Sequence, residues 1–215
     1  MLLALGNVPC SAQLTKEQVK ERKLITSSSK SELTAKASKV ARKEAKKLTK
    51  QGWTTAPGAL PLEKQLDKSY MMSYEYDEDM FPKYIFGEAM SIGENYDAAK
   101  MQALELAKLN LAGQIQTEIT ALVENTVANK QLSAEQAASV TQSIIASKNV
   151  ISQSIGRTIP LVEVYRTLPN RNKEVLVRIA YNSAMAKEVA RKAIREDLEK
   201  KGEDMHEQLD KILGF

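Results

Sequence analysis

An α+β fold, a small, mostly antiparallel sheet covered by long helices and preceded by a basic N-terminal helix, follows from three features of this 215-residue sequence. Tyr84 to Ile92 alternates in the manner of a strand. Leu161 to Leu168 and Glu174 to Tyr181 alternate on either side of Pro169-Asn170-Arg171-Asn172, a hairpin pattern. The stretches between and after these strands carry apolar residues at helical spacing. Hydrophobic residues make up 43% and charged residues 27%, ordinary values for a chain that buries a core. The predicted order is helix, strand, long helices, strand, strand, helix. Such an order gives a three-stranded sheet with helices on one face.

The N-terminal run Met1 to Val8 is apolar apart from Asn7 and meets Pro9-Cys10-Ser11-Ala12 before the polar Gln13. A short apolar run, a helix breaker and small residues at −3 and −1 describe the end of a secretory signal cleaved after Ala12. The missing basic n-region would put the start several codons upstream. Lipidation of Cys10 is the alternative, although Asn7-Val8-Pro9 departs from the pattern that precedes a lipidated cysteine. Cys10 is the one cysteine, so its removal leaves no disulfide or thiolate metal site.

Ser29 to Gln51 is the predicted basic helix. Ser29 and Glu32 form a capping-box pattern, and Leu33, Ala37, Val40, Ala41, Ala45 and Leu48 share a stripe. Gly52 is placed to end it. Trp53 to Pro61 is extended, its two prolines excluding a helix or a central strand. A short helix runs from Leu62 to about Tyr74, and Glu75 to Asp79 is an acidic turn. Eight of the eleven aromatic residues lie between Trp53 and Tyr96, so this segment is expected to pack on the body.

Gly93 ends the first strand, and Asp97 is expected to cap a helix to about Ala128. Its predicted seam is Met101, Leu104, Ala107, Leu111, Ile115, Ile119 and Leu122, with alanines that permit close helix–sheet approach. Ser133 and Gln136 make a second capping box for a helix to about Ser152. Ser183 is expected to cap a last helix, interrupted at Gly202, with Met205, Leu209, Ile212 and Leu213 continuing an amphipathic tail. The organisation is a signal remnant over 1–12, a basic helix and wrapping segment over 13–82, an α+β domain over 83–201 and the tail over 202–215.

Charge is uneven. Twelve Lys and Arg face four Glu between Gln13 and Ala56, whereas the remainder carries a net −4, within an overall charge of +4. A basic arm on an acidic body suggests contact with an anionic surface, set against the simpler reading of a solvated helix face. Trp53, Lys39, Lys43, Lys46 and Lys50 are the candidate contact residues, Trp53 being a packing anchor in the simpler reading. Catalytic sets are absent from the pattern. His206 is the one histidine, expected to face solvent, and nothing pairs Asp67, Glu88, Glu94 and Asp97 on one face. No phosphate-binding glycine loop is present, and Glu75 to Asp79 lacks the ligand spacing of a calcium loop. No catalytic residue, metal ligand or cofactor is therefore assigned.

Tyr84-Ile85-Phe86-Gly87-Glu88-Ala89, then Tyr96-Asp97-Ala98-Ala99, Ala103, Ala107 and Leu111, then Val175 to Ile179, carry a resemblance. Across Lys83 to Tyr181 the chain resembles the family of small bacterial outer-membrane lipoproteins of about twenty kilodaltons and is similar to the N-terminal domain of flagellar-assembly proteins. Gly52-Trp53 through Leu62 resembles the entry to that domain in exported proteins of Bacteroidota-type bacteria. The resemblance implies an exported envelope protein, in the periplasm or at the outer-membrane periphery, acting in structure or assembly and offering no catalytic residues. Expected partners are envelope proteins or further copies of the chain through a sheet edge or the tail, and an anionic membrane or polymer surface. Two other readings stand beside it: a carboxylate-dependent hydrolase of envelope polymers, and a cytosolic nucleic-acid-binding protein using Lys36 to Lys50. No aromatics are interleaved with those lysines, and export would remove the chain from nucleic acid, so nucleic acid is the disfavoured partner.

Overall fold

The computed structural model describes residues 20, 23, 24, 27, 35–78, 80–128, 133–202 and 206–213. The segment 1–12 with Cys10, the predicted cap at Ser29 and Glu32, Asp79, Met205 and the His206 side chain lie outside the described residues. The chain divides into two compact units, Met1–Lys36 and a body, Ala37–Phe215, and the sheet and its helices belong to the body.

The fold is α+β. The first helix, α1 (Lys39–Lys50), is capped by Ser38, whose side chain accepts from the Ala41 amide. Residues 35–38 are not helical, so this helix starts later than its apolar stripe suggested. It ends as predicted at Gly52, which adopts φ +87. The Gly52 amide donates to the Thr49 carbonyl and the Trp53 amide to the Leu48 carbonyl, a closed C-terminal motif that turns the Trp53 ring into the core. Strand β1 (Thr54–Thr55) pairs antiparallel with β3 (Ile159–Thr167) at the sheet edge, inside the segment predicted to be extended and, with its prolines, not a central strand. It is tolerated because it is two residues long and at a sheet edge, where a proline neighbour breaks no ladder.

Helix α2 (Leu62–Ser73) leads to β2 (Tyr84–Gly93), which pairs with β4 (Lys173–Asn182) along its whole length. The sheet thus has four strands, all antiparallel, in the order β1-β3-β4-β2. A bulge between Pro160 and Val162 lets β3 carry the proline.

Both sheet faces are covered, where the sequence suggested one. Val162, Val164 and Ala180 pack with Ala41, Ala45, Trp53, Leu62 and Leu66 of the α1–α2 layer. Val175, Val177 and Ile179 pack on the opposite face against Ala99, Ala103 and Ala107 of α3 (Tyr96–Ala128). Successive strand residues point to opposite faces, so one strand, β4, serves both cores. The α3 seam runs through alanines at Ala99, Ala103 and Ala107, not through Met101, which is 69% exposed. Small side chains win that face because the sheet comes close: Gly87 lies under the Ala107 carbonyl and Gly93 under the Ala99 amide.

Beyond the sheet, the second half of α3 (Leu111, Ile115, Ile119, Val123) builds a helical core with α4 (Ala134–Ala146), α5 (Lys148–Ser154), α6 (Ser183–Lys200) and α7 (His206–Leu213). The predicted helix to Ser152 is broken at Ser147, whose hydroxyl donates to carbonyls of Ser143 and Ala193. Two predicted caps move by a residue or two. Asn95, not Asp97, accepts from the Ala98 amide at the start of α3, and Asn182, not Ser183, accepts from Met185 at the start of α6. In each case the favoured capping residue stands just before the helix, leaving Asp97 and Ser183 within the first turn.

Candidate functional site

Helix α1 is the most strongly charged element of the body. Its twelve residues include Lys39, Arg42, Lys43, Lys46, Lys47 and Lys50 against one acid, Glu44. Ala41 and Ala45 turn inward to α2, because alanine is the side chain that lets two helices approach while the others stay wet. All six basic residues are exposed, and so is Val40, at 64%. Lys39, Lys43, Lys46 and Lys50 fall three or four apart, so they line one side of the helix. Arg42, Lys46 and Lys50, with Ala45 and Thr49, border a groove of about 410 Å³ whose far wall is Glu63 of α2. The groove has cationic rims and a small-residue floor, a form suited to an anion-bearing partner with a modest apolar projection.

Trp53 is separate from that surface. It is 5% exposed, packed in the α1–α2 core, with the Arg166 guanidinium 4.7 Å above its ring. Arg166 is held in turn by Glu174 at 2.5 Å and reaches the Gln51 carbonyl. The ring joins α1, β3 and β4 as an anchor rather than as a contact residue.

A second polar cluster lies where α3 begins. Tyr96 donates to Glu163, Lys100 sits 2.8 Å from the same carboxylate, and the Tyr96 and Tyr165 rings meet edge to face at 5.1 Å. Burial, then the hydrogen bond and charge of Glu163, push the Tyr96 phenol well above its ordinary range. A phenol held protonated is a poor base or nucleophile, so the cluster suits a lock between α3 and β3 better than chemistry. The Glu163 amide donates to Gln65 Oε1, and Gln65 Nε2 donates to the Leu60 carbonyl; the Gln65 side chain thereby finishes the edge of β3 where β1 stops.

The remaining carboxylates singled out in the sequence are dispersed. Asp67 accepts from the Ser38 amide, and Glu88 pairs with Arg178 at 2.5 Å. Among the described residues, no three His, Cys, Asp or Glu side chains gather as a metal would require. Among the same residues, no helix is long and apolar enough to cross a membrane. Comparison with protein-family models, with curated proteins and with solved structures finds no match for this chain.

The sequence pattern does not mark the loop after α2 as a surface. Tyr74, Tyr76, Met80 and Phe81 are each at least half exposed there, as is Met71 in the last turn of α2. The concentration of aromatics between Trp53 and Tyr96 is visible in the sequence, but it divides: Trp53 is buried and Tyr74, Tyr76 and Phe81 face outward.

Proposed function

We propose that this chain is an exported cell-envelope protein that acts in structure or assembly, without catalysis, and that the exposed face of α1 is its contact surface for an anionic partner. The carrying observation is the separation of roles along α1: alanines are buried, and six cations stand on the outside beside a single Glu. A solubilising face would mix signs along the helix, as a row of i,i+4 pairs does. One-signed charge on a packed, capped helix presents a fixed cationic strip, which raises the local concentration of anionic partners. The absence of a thiol beyond Cys10 and the burial of Trp53 leave surface charge as the feature with the clearest purpose.

The test is flotation with phosphatidylglycerol vesicles against phosphatidylcholine vesicles. Each lysine near an anionic surface contributes about 1 kcal/mol, so single Lys→Ala changes at Lys39, Lys43, Lys46 or Lys50 should weaken binding roughly fivefold each. The fourfold Lys→Glu variant should not float at all, and binding by the parent should fall steeply with salt. Equal recovery on neutral and anionic vesicles, or binding untouched by the fourfold change, would remove α1 from the account.

A further inference from the structure

We infer that α1 receives the acidic, apolar loop of a second copy of this chain, so that copies join head to tail. This rests on the reading of α1 as an anion-binding surface and names the partner that fits it.

The loop between α2 and β2 is built to hold its shape. The Asp77 amide donates to the Phe81 carbonyl at 2.9 Å, and Asp77 Oδ1 accepts from the Phe81 amide at 2.8 Å. Tyr76 bridges to Pro82, and the Lys83 amide donates to the Glu75 carbonyl at 2.9 Å. At the tip, Met80 adopts φ +65, the left-handed region that L-residues with large side chains rarely occupy. Glycine would relieve that strain, yet the position carries methionine, and the conformation presents its side chain to solvent at 74% exposure beside Phe81 at 62%.

The surroundings of these two side chains define what they fit. Glu75, Asp77 and Glu78 bring three acids to this loop; Lys83 answers Glu75 at 3.4 Å, and the Lys187 ammonium lies 5.9 Å from the Phe81 ring centroid. An apolar knob with an anionic rim needs a small groove with a cationic rim. The α1 groove, bordered by Arg42, Lys46 and Lys50, has that form. A cavity of about 150 Å³ already takes a benzene ring, so its 410 Å³ has room for the Phe81 ring.

The loop cannot reach the groove of its own chain. Glu63, the groove's far wall, is in the first turn of α2, whereas Tyr74 follows its last. The intervening helix is roughly 16 Å long at 1.5 Å per residue. Two different surfaces at opposite ends of one rigid element make a heterologous contact, which grows into chains or closes into rings rather than stopping at a two-fold dimer.

Sedimentation velocity on the full chain tests this, with two variants that each keep one surface. Met80→Gly with Phe81→Ser removes the knob and relieves the strained φ; Lys46→Glu with Lys50→Glu reverses the groove. The parent should associate with rising concentration and dissociate at high salt. Each variant alone should remain monomeric, and their equimolar mixture should form a one-to-one complex and nothing larger. Unchanged circular dichroism of both variants confirms that they fold. A parent that stays monomeric, variants that associate alone, or a mixture that stays monomeric would each overturn the head-to-tail contact. Vesicle flotation separates the two readings: the Met80→Gly, Phe81→Ser variant should float as the parent does. A monomeric parent that still binds anionic vesicles would sink the self-docking and leave the α1 reading standing, whereas loss of both would sink the two together.

Discussion

Gly87 sets how closely α3 lies on the sheet. A Cβ added there would stand 2.2 Å from the Ala107 carbonyl oxygen and 3.1 Å from Leu111 Cβ. Neither can swing aside, the first because it is helix backbone and the second because it is wedged in the core, so the whole helix would have to lift. Gly87→Ala should therefore cost about 2–3 kcal/mol, at the upper end of overpacking, read from a urea transition. Gly113→Ala is the matched control. Its added methyl would meet only the flexible end of Lys148 at 3.5 Å, and alanine in mid-helix should stabilise by roughly 0.5–1 kcal/mol. Equal effects at the two positions would refute the close-approach account. Tyr96 gives a second test at this scale. Its phenol is held protonated, chiefly by burial and then by Glu163. An acid whose folded pKa is raised contributes stability that is complete below its unfolded value of about 10 and is lost as pH rises through the folded value. The difference between alkaline ultraviolet titrations of the parent and of Tyr96→Phe should show this phenol ionising well above pH 10. A difference curve centred on the ordinary tyrosine value would contradict the lock between α3 and β3. Both residues stood out in the sequence pattern, but their contacts did not: Gly87 meets Ala107, 20 positions on, and Tyr96 acquires its meaning from Glu163, 67 positions away.

At the scale of elements, local chemistry was readable and register was not. The Ser133–Gln136 box is present in both directions, with Ser133 Oγ accepting from the Gln136 amide at 3.2 Å and Gln136 Oε1 from the Ser133 amide at 3.0 Å. The Gly52 terminus and the β3–β4 hairpin also stand where the sequence put them, because each is decided by residues within a few positions. Removing the box by Ser133→Ala should cost about 1 kcal/mol, felt first as faster amide exchange in α4. Exchange rates in Ala134–Ala146 equal to the parent's would show that tertiary packing alone holds the helix. What the sequence left hidden was set by distant partners. Strand β1 is too short to carry an alternation, and it exists because Tyr165 and Val164 offer it a ladder. On α3 the predicted Ala107, Leu111, Ile115 and Ile119 are buried and Leu104 packs at the edge of the sheet-side core, but Met101 faces out and Ala99 and Ala103 take the closest approach, because the glycines on β2 decide which side chains fit. The basic stripe of α1 was legible in full, since exposure of lysine needs no partner; the groove beside it was not, since Glu63 supplies its far wall.

For the whole molecule, the decisive feature is that α3 belongs to two cores. Its first half lies on the sheet through Ala99, Ala103 and Ala107, and its second half, from Leu111 to Val123, is enclosed by α4 to α7. A helix 33 residues long with no break transmits the loss of either end to the other, because unwinding its middle would expose Leu111 and Ile115, both buried. Cooperative unfolding of the body is the consequence, and the single tryptophan makes it measurable. Trp53 lies in the α1–α2 core on the far side of the sheet from α3, while most helical signal comes from α3 to α6. Ile194, fully buried in the helical core, offers a remote perturbation. Ile194→Ala should cost roughly 2–5 kcal/mol. If α3 couples the cores, the Trp53 fluorescence midpoint and the far-ultraviolet dichroism midpoint in urea should fall together and by equal amounts. A dichroism midpoint that drops while Trp53 fluorescence holds its place would mean that the sheet with its α1–α2 layer survives the melting of the helical core. The platform that carries α1 and its neighbouring loop would then be a separate folding unit, and a contact made through α1 would not sense the state of α4 to α7.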